Sequence, residues 1–340
     1  METEAVTVSL PKRHKYKSLF KTVHGQKILV AVTFMLVPLF LLCLFTYLPF
    51  VKMAQFSLYQ MKYIGTRLFI GLENYKDVFT RTEILGSLRL SLYYLAASVV
   101  QLSLALFFAC ILSVKTEWNG FFKGVIFFPY LVCGIAIGFM FKFFFTRGFV
   151  LDSVLSAFGI NQDTLPYWLR DAHVNNIMLA ATSVWRYMGQ NMVLFIGAIT
   201  SIDPLLYEAA DIDGASTWNK FRYIMLPGIS SIVVLNMILA VSGSISAFEP
   251  PYVITNGTFD TATYFVTMHS MAHEKQKVGL ASAMAIVLML IIILITLLQR
   301  FISRTFFEED QYGYVYSERR AMRKRAKMQA AQGEQKHEEG

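Results

Sequence analysis

The segment Asp203–Pro227 concentrates residues whose types and spacing could do chemistry. Glu208, Asp211 and Asp213 offer hydrogen-bond acceptors, and the neighbouring Ala209, Ala210 and Ala215 are small enough to admit the close approach of another surface. Asp203 is a good N-cap, Pro204 suits the first helical position, and Gly214 can end the helix in the left-handed conformation. Ser216 or Thr217 can cap a second helix, which Pro227 ends or bends into the next apolar run. The expectation is a compact helix–Gly–helix knob rather than a loose linker. A second candidate is Arg186, beside Trp185 in the middle of an apolar run. A charge at such a depth is expensive and faces a cavity or a partner, for example a carboxylate on another subunit. His269 and His273, four apart and followed by Glu274, could share a helix face, but the order is not H-E-x-x-H and no third ligand is placed, so no metal is expected. Cys43, Cys110 and Cys133 lack CxxC spacing and read as small packing residues.

The elements that must position these residues follow from composition. Of 340 residues, 55% are hydrophobic and 16% charged, against roughly 25% charged in an average soluble domain. So much apolar surface does not fit inside one water-soluble core of this length. Six apolar runs are visible, at Ile28–Val51, Ile84–Ser113, Val125–Phe145, Val174–Ile202, Ile229–Phe248 and Val278–Gln299. Each reaches the ~20 residues a helix needs to cross ~30 Å of hydrocarbon. The alternating pattern of a membrane β-barrel is not seen. The expected fold is thus an all-α membrane protein of six transmembrane helices, with the knob, 203–228, between helices four and five.

Lys and Arg set the orientation. The Lys12–Lys27 arm holds six, the 113–123 loop two, the 203–228 loop two and the tail from Arg300 nine. The other three loops hold five, three and two when Lys142, at the end of the third run, is counted with the loop that follows it. The positive-inside tendency places both termini and the knob in the cytoplasm. The first run is too long for a signal peptide and lacks a cleavage site, so it reads as an anchor. The organisation is a basic arm 1–27, a transmembrane domain 28–300 and a basic tail 301–340. That tail reads as a solvated end near lipid head groups.

Glu208-Ala209-Ala210, Gly214, Ile224 and Leu226-Pro227 match the pattern E-A-A-x3-G-x9-I-x-L-P. In this the chain resembles permease subunits of binding-protein-dependent ABC importers. Gly71-Leu72-Glu73-Asn74-Tyr75, Phe121-Phe122-Lys123, Phe128-Pro129, Tyr252-Val253-Ile254-Thr255 and Gly279-Leu280-Ala281-Ser282-Ala283 resemble elements of the carbohydrate-uptake branch. The likeness spans roughly 28–305. It implies a multi-pass subunit of the bacterial cytoplasmic membrane whose knob docks on cytoplasmic ATPase subunits. Tyr207, Glu208, Ala209, Ala210, Asp213, Gly214, Ala215, Leu226 and Pro227 would form the docking element. It also implies a second permease subunit, expected as a homologous heterodimer partner, and an extracellular solute-binding protein.

The chain lacks G-x4-G-K-[ST]. No catalysis and no bound cofactor is therefore expected of it, with ATP and Mg used by the partner ATPase. Sugars are recognised by aromatic faces and hydrogen-bonding groups. Trp185, Arg186, Gln190, Asn191, Asn236 and Ser242 accordingly form the expected path lining, although Ser, Asn and Gln also serve as interhelical glue. The alternatives are the same architecture importing another solute such as glycerol phosphate, which calls for added bases along the path, or an ATP-independent secondary transporter, which calls for internal repeats and coupling carboxylates.

Overall fold

The structure, a computed structural model, describes residues 23–113 and 117–303. Most of the expected basic arm, the Lys115 region and nearly all of the expected tail lie outside the described residues. The chain divides into two units, Met1–Phe56 and Ser57–Gly340.

In the first unit, α1 (Val23–Leu42) passes through a π turn (Cys43–Tyr47) into α2 (Leu48–Phe56). The π turn ends two residues before Pro49, and the Leu48 N–H donates to the Cys43 carbonyl. Pro49 has no N–H for an ordinary helical bond and its ring crowds the carbonyl four residues back. A locally widened turn relieves that conflict without ending the helix.

The second unit begins with a two-stranded antiparallel ribbon, β1 (Tyr59–Gln60) and β2 (Leu68–Phe69). Then come α3 (Glu73–Thr80), α4 (Thr82–Ser113), α5 (Asn119–Leu131), α6 (Gly134–Phe145), α7 (Val150–Ala157) and α8 (Asn175–Thr200). The knob follows as α9 (Pro204–Ile212), α10 (Thr217–Lys220), a π turn (Phe221–Met225) and α11 (Leu226–Gly228). The chain continues through α12 (Ser230–Ile245), α13 (Glu249–Thr255), α14 (Tyr264–His273) and α15 (Val278–Ser303). Among the described residues four helices are long and apolar enough to cross a membrane, or up to six if each of two bent pairs counts as one span.

The third apolar run departs from the expectation of a single straight helix. It is α5 and α6, bent by 97°. Pro129 removes a helical N–H near the end of α5, and Val132 and Cys133 are extended (ψ 138° and 134°) before Gly134 restarts the helix. The fourth run, α8, is helical as expected, with α9 turning away by 70°.

Where α4 packs on α8, small residues face large ones. Ala105 and Ala109 of α4 are fully buried against Met192 and Phe195 of α8 and Ile229. A second cluster joins α14 and α15 through Tyr264, Met271, Ala283 and Met284. There the Tyr264 hydroxyl donates to the Met284 carbonyl at 3.0 Å. Two of the quoted sequence elements meet in a third tie. Asn74 Nδ2 donates to the carbonyls of Ser57 (2.8 Å) and Tyr59 (3.0 Å), and the Tyr75 and Ser57 hydroxyls are 2.7 Å apart. Gly279 lies against the same backbone, where any Cβ would collide with the Tyr59 carbonyl. Gly71–Tyr75 and Gly279–Ala283 thus lock the start of α15 to the ribbon.

Candidate functional site

The knob is built by local chemistry. The Asp203 carboxylate accepts from the Leu205 N–H at 3.0 Å, capping α9 with Pro204 at its first position. Gly214 takes φ 70°, and the Ala215 N–H returns to the Ala210 carbonyl at 2.9 Å, closing the helix in a left-handed cap. Ser216 Oγ accepts from the Asn219 N–H at 3.3 Å and starts α10. The π turn at Phe221–Met225 again ends two residues before a proline, Pro227. Lys220 pairs with Asp211 and braces the two short helices. Tyr207 points inward. Its hydroxyl is buried, and burial, with the Cys110 thiol adding, pushes its pKa up. Cys110 Sγ lies 3.5 Å from Met225 Sδ, so α4 touches the knob's second half.

Glu208, Ala209, Asp213 and Gly214 are exposed on the knob, while Ala210, Ala215 and Leu226 are half-buried. The same surface exposes Leu205, Leu206, Ile212 (87%) and Trp218. Of these, Leu205, Leu206 and Trp218 read in the sequence as ordinary helix positions, while Ile212 adjoins the resembling Asp213-Gly214-Ala215.

A cavity of about 400 Å³ lies between α4, α8, α12 and the start of α13. Ser183, Tyr187, Gln190 and Asn191 reach it from one face of α8. Tyr94, Ser98 and Gln101 reach it from α4, and Gly243 and Ser244 from α12. Of the six expected path residues, Gln190 and Asn191 line the cavity. Trp185 instead packs edge-on against Phe141 of α6, with ring centroids 5.3 Å apart. Asn236 is buried in α12, its amide atoms unbonded to other described residues. Ser242 is half-buried in α12 and is not part of the cavity wall. The α4 contribution had a readable signal. Ser87, Ser91, Tyr94, Ser98 and Gln101 recur at helical spacing in an otherwise apolar run, and all are buried.

Arg186 pairs with Glu249, which itself reaches the cavity. The arginine side chain is 16% exposed and the carboxylate 42%. The guanidinium carbon sits 5.0 Å from the centre of the Tyr187 ring. A Cβ at Gly134 would strike both charged groups, so the start of α6 rests directly on the pair. Three elements, α6, α8 and α13, therefore meet at one ion pair beside the cavity.

On α14, the His269 and His273 rings lie tilted by 45° with centroids 4.4 Å apart. His273 Nδ1 is 3.0 Å from the Tyr63 hydroxyl. Burial and the neighbouring His273 lower the His269 pKa, against a smaller opposing effect of Glu274.

Comparison with known proteins bears on this arrangement. Residues 101–308 match the family described as the binding-protein-dependent transport system inner membrane component. The chain belongs to this family. It is 30% identical over 281 residues to the probable ABC transporter permease protein YurN of Bacillus subtilis, covering 81% of this chain and 96% of that one. It is 27% identical over 318 residues to the arabinooligosaccharides transport system permease protein AraP of Halalkalibacterium halodurans, covering 91% and 98%. A crystal structure of a bacterial ABC transporter that imports alginate contains a chain of like fold. The TM-score is 0.72 at 18% identity, covering 83% of this chain and 97% of that one. As a family member the protein is a multi-pass inner-membrane channel subunit rather than a catalytic one. The family match includes α8, the knob and α12, which carry part of the cavity wall and the exposed apolar residues of the knob.

Proposed function

We propose that this chain is one permease half of an ATP-driven importer of sugars or oligosaccharides, crossing the membrane six times with both ends and the knob in the cytoplasm. The observation that carries the reading is the knob, a rigid doubly capped turn built on the matched motif and presenting exposed Leu205, Leu206, Ile212 and Trp218. Such a patch in water calls for a partner. Its bracing by Lys220–Asp211 suits a lever that carries ATPase motion into α8 and α12. ATP and Mg act in the partner ATPase, and Glu208 supplies a polar contact to it.

Sugar as cargo is supported by the cavity's chemistry, in which Tyr94, Tyr187, Gln101, Gln190 and Asn191 combine ring faces with amides and hydroxyls. It is also supported by relatives described as permeases for arabinooligosaccharides, lactose and multiple sugars. A second permease subunit completes the path. A solute-binding protein delivers the sugar, as a periplasmic protein accompanies the alginate transporter in one solved complex. Glu208→Lys and Gly214→Pro test the lever. Proline cannot adopt the φ of 70° found at 214. Both variants should reach the membrane at normal levels and lose sugar uptake. Normal uptake in both would remove the knob from the coupling role.

A further inference from the structure

A second cavity, of about 380 Å³, lies at the end of α8 away from the knob. Lys142 from the last turn of α6, Arg147 from the connection after it and Arg170 from the chain before α8 converge on it. Arg147 and Arg170 are the bases of the loop between runs three and four, and Lys142 stands at the end of run three, on a side where the positive-inside tendency disfavours bases under the orientation proposed above. Among the described residues no carboxylate pairs with any of the three. The wall is otherwise aromatic, from Tyr167, Trp168 and Phe259. Arg147 lies 4.5 Å over the Tyr167 ring and is anchored by the carbonyls of Leu165 (2.6 Å) and Gln162 (3.1 Å). Arg170 lies 5.6 Å over Phe259.

The wall is held in place from behind. The Trp168 indole N–H donates to buried Asp152 at 2.6 Å, which fixes the ring where it lines the cavity. Phe259 sits at φ 57°, a costly conformation for an aromatic residue. Buried Asn175 and Asn176 hold that turn by donating to the carbonyls of Phe259 (2.6 Å) and Asp260 (3.0 Å). The ring is thereby fixed opposite Arg170.

We propose that this cavity binds an acidic sugar unit, a pyranose bearing a carboxylate, at the outer mouth of the path. The inference deepens the sugar-importer reading and rests on it. The aromatic faces take the C–H face of the ring, and the guanidinium groups and the ammonium take the carboxylate, which guanidinium binds with two parallel hydrogen bonds. The volume falls in the range of small-molecule sites and exceeds what one protein carboxylate fills.

The test uses the full-length chain in nanodiscs of zwitterionic lipid, titrated calorimetrically with trigalacturonate and with its carboxyl-reduced counterpart. Trigalacturonate should bind at least about tenfold tighter than the reduced trisaccharide, an advantage that shrinks in high salt. Lys142→Gln with Arg170→Gln should erase that preference, and Phe259→Gly should weaken both probes. Equal affinity for the two probes, or a preference that survives the double substitution, overturns the proposal. Equimolar inorganic phosphate displacing trigalacturonate also overturns it, in favour of a phosphate or head-group site. So does loss of solute-binding-protein docking in the double variant without loss of trigalacturonate binding, which makes the bases a docking contact. Saccharide-stimulated ATPase activity of the assembled wild-type importer separates the two levels. Stimulation by neutral sugars alone overturns only the acidic-unit proposal, whereas stimulation by no saccharide overturns the sugar reading beneath it.

Discussion

Arg186 and Glu249 are 63 residues apart, and their pairing decides what a charge inside the helical bundle costs. Removing one partner leaves the other charged and half-buried. For a fully buried pair that costs ~3–5 kcal/mol. The half-open position of Glu249 brings the expected loss down to ~1–3 kcal/mol for Arg186→Met or Glu249→Gln alone, because water screens the remaining charge. The double substitution should cost clearly less than the two single losses together, read as thermal unfolding of the protein in detergent. Strict additivity would mean that the pair does not couple. The sequence marked Arg186 by its depth but could not supply Glu249, which stands in Phe248-Glu249-Pro250-Pro251 and reads as a loop acid. Pairing at that separation depends on how α13 folds back over α8, and no local pattern encodes it.

At the scale of elements, legibility follows the range of the forces. The knob was readable residue by residue because caps, prolines and a left-handed glycine act within one or two turns. The polar stripe of α4 was equally local, since helical spacing alone aligns Ser91, Tyr94, Ser98 and Gln101. The break between α5 and α6 was only half readable. Pro129 announces a weak point, but the 97° angle also needs Gly134 seated on the ion pair. Close approaches between helices were not readable at all. Gly189 of α8 touches the α5 backbone, and a Cβ there would collide with the Ile126 carbonyl, which has no side-chain freedom to yield. Gly197, two turns on, has nothing within 4 Å of its virtual Cβ. Gly189→Ala should therefore destabilise by ~1–3 kcal/mol through overpacking. Gly197→Ala should be neutral or stabilising by up to ~1 kcal/mol through helix propensity. Equal thermal stability of the two variants would contradict the close packing of α5 on α8.

For the whole molecule the question is where its uncovered apolar surface goes. Lipid covers the flanks of spanning helices, whereas α9 of the knob turns away from α8 by 70°. Its acids and small residues pointed to docking in the sequence, yet they describe fit rather than driving force. Under the proposed coupling role the driving force would come from Leu205, Ile212 and Trp218, whose exposure is a property of the folded knob and not of its composition. Burying one such side chain contributes ~1.5–3 kcal/mol. Losing it should weaken association by at least about tenfold. Ile212→Asp and Trp218→Asp should thus reduce retention of the ATPase subunit on the purified permease by about that factor. Lys62→Ala, on the exposed chain between β1 and β2, should leave retention unchanged. In the wild type, adding the ATPase should also shift Trp218 emission to shorter wavelength as its indole leaves water. If the ATPase is held equally well by both knob variants, the apolar patch is not what holds it. The lever would then rest on Glu208 and the backbone alone, a contact too small and too solvated to transmit the work of ATP binding.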